Sequence, residues 1–197
     1  MLMDLPANLS SERGDIAPGT DFGLTPLHLA AKFGHENLVR LLLNFDRVDV
    51  LAQTKHDGTL ALHLAALNGH ANVASLLLSK SIEQIVRRDT LGRTVLHFAA
   101  SNGQAEMISF MLSQGADIHA QDTSHSTALH YATRMGHLDI CQQLVEAGAV
   151  TTKENELKQT PLHLAVANRY LFISQFVICD YHQISRILLN ILPGIQE

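Results

Sequence analysis

Five histidines, His28, His63, His97, His130 and His163, each sit three residues after a position suited to open a helix. Imidazole is both a general acid–base group and the commonest metal ligand near neutral pH, so the set raises two chemical readings: a catalytic base and a metal array. The pattern speaks against both. A catalytic group is not copied into every unit of a chain, and no close cysteine or carboxylate accompanies each histidine as a metal shell requires. From the third helical position an imidazole reaches back to a capping hydroxyl or to a nearby loop carbonyl, like a capping box with His in place of Glu. His35, His70 and His137, each after a glycine, form a second recurrent set read as structural. His119 and His125 flank one turn and are the pair to weigh as a two-histidine zinc site. The reading adopted is no metal and no cofactor.

The other chemistry-bearing types add little. Cys141 falls in an apolar slot shared with Val39, Ala74 and Ile108 and reads as a small core residue. Cys179 ends an apolar run, and neither cysteine has a C-x-x-C partner or a protease-like setting. No phosphate loop, G-x-S-x-G or H-E-x-x-H occurs. The chain reads as non-enzymatic.

The elements that must position the histidines repeat with them, at spacings of 35, 34, 33 and 33 residues. A period in this range indicates a stacked repeat architecture. In TPLHLAAKFGH, Thr25 is a suitable N-cap, Pro26 falls at the first helical position, and Gly34 suits a left-handed helix end. Thr94, Thr127, Thr160 and Pro161 occupy the same slots later, whereas the second unit has Leu60-Ala61, so its cap is weaker or moved to Thr59. A second helix follows in each unit, with apolar residues at helical spacing such as Leu38, Val39, Leu41, Leu42 and Leu43. Helices this short are unstable alone, and stacking on neighbours supplies the missing burial. Gly115 and Gly148 end the second helices of units three and four, while NFDRVDVLAQTK and SKSIEQIVRR run longer and predict irregular loops after the first two units. Between units, turn chemistry such as KHDG predicts projecting, hairpin-like fingers.

Composition sets the limits. Hydrophobic residues make up 46% of the 197, enough for a core. Net charge is −5, with no basic stripe and no tryptophan, which argues against nucleic acid as partner. Two distant cysteines fit a reducing compartment. Residues 1–20 lack the features of a secretory signal and read as a disordered lead-in. Repeats are expected over 21–180, at about 21–55, 56–88, 89–121, 122–154 and 155–180, the last degenerate with Arg169 in the glycine slot. An apolar tail at 181–197, helical if ordered, follows. It is read as an uncapped end, either because the chain is a fragment of a longer array or because this surface packs or docks on a partner, with insertion in a membrane as the alternative.

With this period and TPLHLAA opening the first unit, the chain is similar to the ankyrin-repeat family over about 21–180. The resemblance implies an all-α solenoid of stacked helix-turn-helix units with hairpin-like loops. It also implies a non-catalytic role in binding another protein through the concave face and loop tips. Residues the repeat does not dictate are the candidate contacts: Lys32, Phe33, His56, Asp57, Leu67, Asn68, Leu91, Arg93, Asn102, Arg134 and Met135. Phe33, Leu67 and Met135 are the apolar members expected at exposed positions. A narrower resemblance rests on the long first loop, LLLSKS, and D-x-x-GRT-x-LH. These look like consecutive repeats in the cytoplasmic arm of TRPN-type (no-mechanoreceptor-potential-C) transient receptor potential channels. That resemblance implies a spring tying a channel to the cytoskeleton. Either role places the chain in the cytoplasm or at the inner face of a membrane.

Overall fold

A computed structural model of the chain describes residues 23–178. The lead-in at 1–20, the tail at 181–197 and Cys179 lie outside the described residues. Helices alternate between two layers. The inner layer holds α1 (Pro26–Lys32), α3 (Ala61–Leu67), α5 (Val95–Ser101), α7 (Ala128–Met135) and α9 (Pro161–Ala167). The outer layer holds α2 (Glu36–Leu42), α4 (Ala71–Lys80), α6 (Ala105–Ser113) and α8 (Leu138–Glu146), and residues 171–178 are helical again. Each inner helix packs on the next inner helix and, through α7, on its own outer partner; α2, α4, α6 and α8 stack in turn.

Each inner helix starts and stops for identifiable reasons. Thr25, Thr94, Thr127 and Thr160 sit at N-cap in extended conformation, each boxed with the histidine three residues on. At the other end Gly34 has φ +69°, its N–H bonds Ala31 O, and the His35 N–H bonds Ala30 O at 2.9 Å. These are the paired bonds of a Schellman stop. The same pair recurs at Gly69–His70, Gly136–His137 and, with Arg169 at φ +59°, at Arg169–Tyr170. Ala30, Ala65, Ala99, Ala132 and Ala165 are all buried between inner helices, where a methyl group lets the backbones approach. One continuous apolar core runs from Leu27 to Val177. Cys141 is buried in it, with its thiol 3.5 Å from Thr133 Oγ1 and burial pushing its pKa up to about 11.

Two expectations need correcting. The second cap does not move to Thr59: Leu60 is the N-cap, its side chain supplies no acceptor, and its N–H donates to His63 Nδ1 at 3.2 Å. In compensation, Leu60 is fully buried. The loop after α4 is not irregular throughout, because Ile82–Val86 forms a 3-10 helix. Gln84 and Ile85 turn inward there, and Gln84 Nε2 donates to Leu77 O at 2.8 Å and Ser81 O at 3.1 Å, fastening the turn to the end of α4.

Candidate interaction surface

Four of the five recurrent histidines have both ring nitrogens engaged. In the first unit the Thr25 N–H donates to His28 Nδ1 at 3.0 Å, and Thr25 Oγ1 lies 2.7 Å from the same nitrogen. With Nδ1 accepting, the proton sits on Nε2, which donates to Thr59 O in the following finger at 2.9 Å. His97 reaches Ser126 O at 3.0 Å, His130 reaches Gln159 O at 3.1 Å, and His63 reaches Arg87 O at 3.3 Å. The bonds of His28, His97 and His130 are forward ties from one unit into the finger of the next, while that of His63 ends on the segment closing its own unit. His163 is exposed and keeps its Thr160 contacts. Burial holds His28, His97 and His130 below the usual imidazole range and takes His63 down to about 4. These side chains are neutral and occupied at physiological pH.

The histidines after the glycines tie the stack the other way. His70 Nε2 lies 3.1 Å from Lys32 O, and His137 Nε2 lies 3.2 Å from Ser101 O. Gln104 fills the same slot and donates to Leu67 O at 3.4 Å. The glycines are tight for this reason as well as for φ: a Cβ on Gly34 would stand 2.6 Å from His70 Nδ1, and one on Gly136 would stand 2.8 Å from Tyr170 Cζ. Among the described residues no such hydrogen bond fixes His35, whose ring centroid lies 6.0 Å from that of Phe33. Among the described residues no group of three or more His, Cys, Asp or Glu is placed to hold a metal ion.

The fingers are held by a buried polar side chain at the base of each. Asp89 Oδ1 accepts from the Leu91 and Arg93 N–H groups, Asp122 Oδ1 from those of Ser124 and Ser126, and Asn155 Oδ1 from those of Leu157 and Gln159. Burial alone would raise the Asp122 carboxyl. The bonds from Ser124, Tyr131 and Ser126 outweigh it and hold the pKa below the ordinary value. Its other oxygen accepts from Tyr131 Oη at 2.8 Å, and burial together with that bond takes the phenol up to about 12. Adjacent fingers join through main-chain bonds, Thr90 N–H to Asp57 O, Thr123 N–H to Leu91 O, and Glu156 N–H to Ser124 O.

Two contacts show which side of the inner helices faces the fingers: Tyr131 on α7 bonds Asp122, and Arg93 lies 4.5 Å over the Phe98 ring on α5. Residues three and four positions on share that face, which places Asn102, Arg134 and Met135 there and, by register, Lys32, Phe33 and Asn68. Phe33 is 58% exposed and Met135 52%. Lys32, Asn68, Asn102 and Arg134 are also exposed, with Asn68 Nδ2 donating to Leu64 O. His56, Asp57 and Leu91 are exposed on the fingers. Two candidates are placed otherwise. Leu67 is half-buried against the core; it occupies the slot of Lys32 and Arg134, and its shorter apolar side chain folds inward. Arg93 is not a free reader, because it pairs with the buried Asp89 carboxylate at 2.6 Å and stacks on Phe98.

No described helix is long and apolar enough to cross a membrane. A family model described as ankyrin repeats (3 copies) matches residues 7–89, 46–122 and 96–187. No curated protein matches the chain.

Proposed function

The chain belongs to the ankyrin-repeat family, and from that premise we propose that it is a non-catalytic protein-binding module whose partner lies along the finger-side face of the inner helices. The observation that carries this reading is the exposure of Phe33 and Met135 at positions the repeat does not dictate, on a face flanked by ordered fingers. Apolar side chains left to solvent on such a face support a binding role. The histidines that suggested chemistry are spent on the stack, which supports a role without catalysis. Lys32, Asn68, Asn102 and Arg134 border the apolar contacts, and His56, Asp57 and Leu91 extend the surface onto the fingers. The module acts in the cytoplasm or at the inner face of a membrane.

The test is affinity capture with the intact chain, followed by mass spectrometry and repetition with Phe33→Ala and Met135→Ala. Loss of a recovered protein with both variants is expected; unchanged capture of every partner overturns the reading. A second reading, an elastic segment of a channel arm tied to the cytoskeleton, draws support from the resemblance of LLLSKS and D-x-x-GRT-x-LH to TRPN-type repeats. A transcript that joins these repeats to further repeats and a run of hydrophobic spans would favour it.

A further inference from the structure

The chain holds 19 acidic and 14 basic side chains, yet the charges on the inner helices are all positive. Helices α1, α3, α5, α7 and α9 contain no Asp or Glu. Their only cations are Lys32 and Arg134, both exposed and neither in an ion pair with another described residue. The outer helices carry both signs, Glu36, Glu106, Asp139 and Glu146 against Arg40 and Lys80, and so do the fingers. A net-acidic molecule thus shows, at two places on the inner helices, a positive charge that no described residue pairs with, in equivalent slots of units one and four.

Each cation stands beside an exposed apolar residue and is steadied by a ring. Lys32 Nζ lies 5.6 Å from the Phe33 ring centroid, and Arg134 Cζ lies 5.7 Å from that of Tyr131, next to Met135. Contacts of this kind hold a cation without neutralising it. In the two units between, the same slots hold Leu67-Asn68 and Ser101-Asn102, which carry no charge. Stacked helices lie about 8–10 Å apart, so three steps separate the two composites by roughly 25–30 Å. An extended chain covers that in about eight or nine residues.

Resting on the finger-side binding reading above, we propose that this face takes an extended, acidic peptide segment. It carries a carboxylate next to an apolar side chain at each end, one end on Lys32–Phe33 and the other on Arg134–Met135. The middle of the segment crosses inner-helix slots that carry no charge and needs none of its own. Because both cations are exposed, added salt weakens the complex.

The probe is a phage-displayed library of random peptides about twelve residues long, panned against the full chain. Enriched sequences are then synthesised and measured by fluorescence anisotropy. Acidic sequences with apolar residues beside the acids are expected. Lys32→Ala and Arg134→Ala should each weaken binding about two- to fivefold, and the double charge reversal Lys32→Glu/Arg134→Glu by about tenfold or more. Basic or neutral sequences, or a double reversal that binds as the wild type does, overturn the proposal. Phe33→Ala and Met135→Ala separate the two failures. If these weaken binding and the charge reversals do not, the face stands and the acidic preference falls. If neither pair matters, both fall. All four positions are exposed, and circular dichroism checks that each variant keeps its helix content.

Discussion

At the scale of single residues, the glycine after each of the first four inner helices serves two purposes, and substitutions separate them. Gly34 at φ +69° has a His70 nitrogen 2.6 Å from where a Cβ would stand, whereas Gly115 at φ +89° has nothing within 4 Å. Alanine at Gly115 meets the left-handed backbone cost alone, about 1–2 kcal/mol. Alanine at Gly34 meets that cost and also displaces the His70 tie to Lys32 O, for a total of about 2–4 kcal/mol. Urea unfolding should place Gly34→Ala clearly below Gly115→Ala; equal losses would mean His70 moves aside freely. The left-handed need was legible in the sequence, because a glycine after a short periodic run signals a helix end. The crowding was not, since it comes from a side chain 36 positions along the chain that only stacking brings near.

At the scale of the helix, α3 is the inner element with the weakest start. Leu60 gives it burial instead of a hydroxyl, and Ala61 stands where α1 and α9 have proline. The backbone is already suited to proline: Leu60 sits at φ −86°, ψ 161°, the extended region that a residue before proline prefers, and Ala61 opens the helix. Ala61→Pro should therefore stabilise the chain by about 0.5–1 kcal/mol by restricting the unfolded state. A denaturation midpoint that falls or stays put would show that the ring does not fit there. Helices and caps were readable because the same local chemistry recurs unit after unit. The 3-10 helix Ile82–Val86 was not, because its inward turn depends on Gln84 finding the carbonyls of Leu77 and Ser81. Nor was the ion pair of Arg93, since its partner Asp89 is buried only once the finger has folded over it. The exposed pair Phe33 and Met135 was legible, because both stand where the repeat prescribes nothing.

At the scale of the whole molecule, the buried histidines make stability depend on pH. His28, His63, His97 and His130 are held neutral in the folded stack, so their folded pKa values lie below the unfolded value of 6.5. The unfolded chain then binds more protons as pH falls below 6.5. The contribution is complete above that pH and is lost on the way down to the folded value, about 4 for His63. For His63 alone the gap corresponds to about 3 kcal/mol. The urea midpoint should drop markedly between about pH 7 and pH 5, before most carboxylates titrate. A midpoint flat across that window would contradict the neutral, bonded assignment of these rings.

The ties also bear on how such a stack can change over generations. Forward bonds end on the carbonyls of Thr59, Ser126 and Gln159, and backward bonds on those of Lys32, Leu67 and Ser101. A main-chain carbonyl is present whatever the side chain. A unit therefore asks of its neighbour at these joints only a carbonyl and, beside each backward bond, the room a glycine leaves. Whole units can be duplicated, lost or exchanged by recombination without matching substitutions on the other side of the joint, while the exposed face drifts independently towards new ligands.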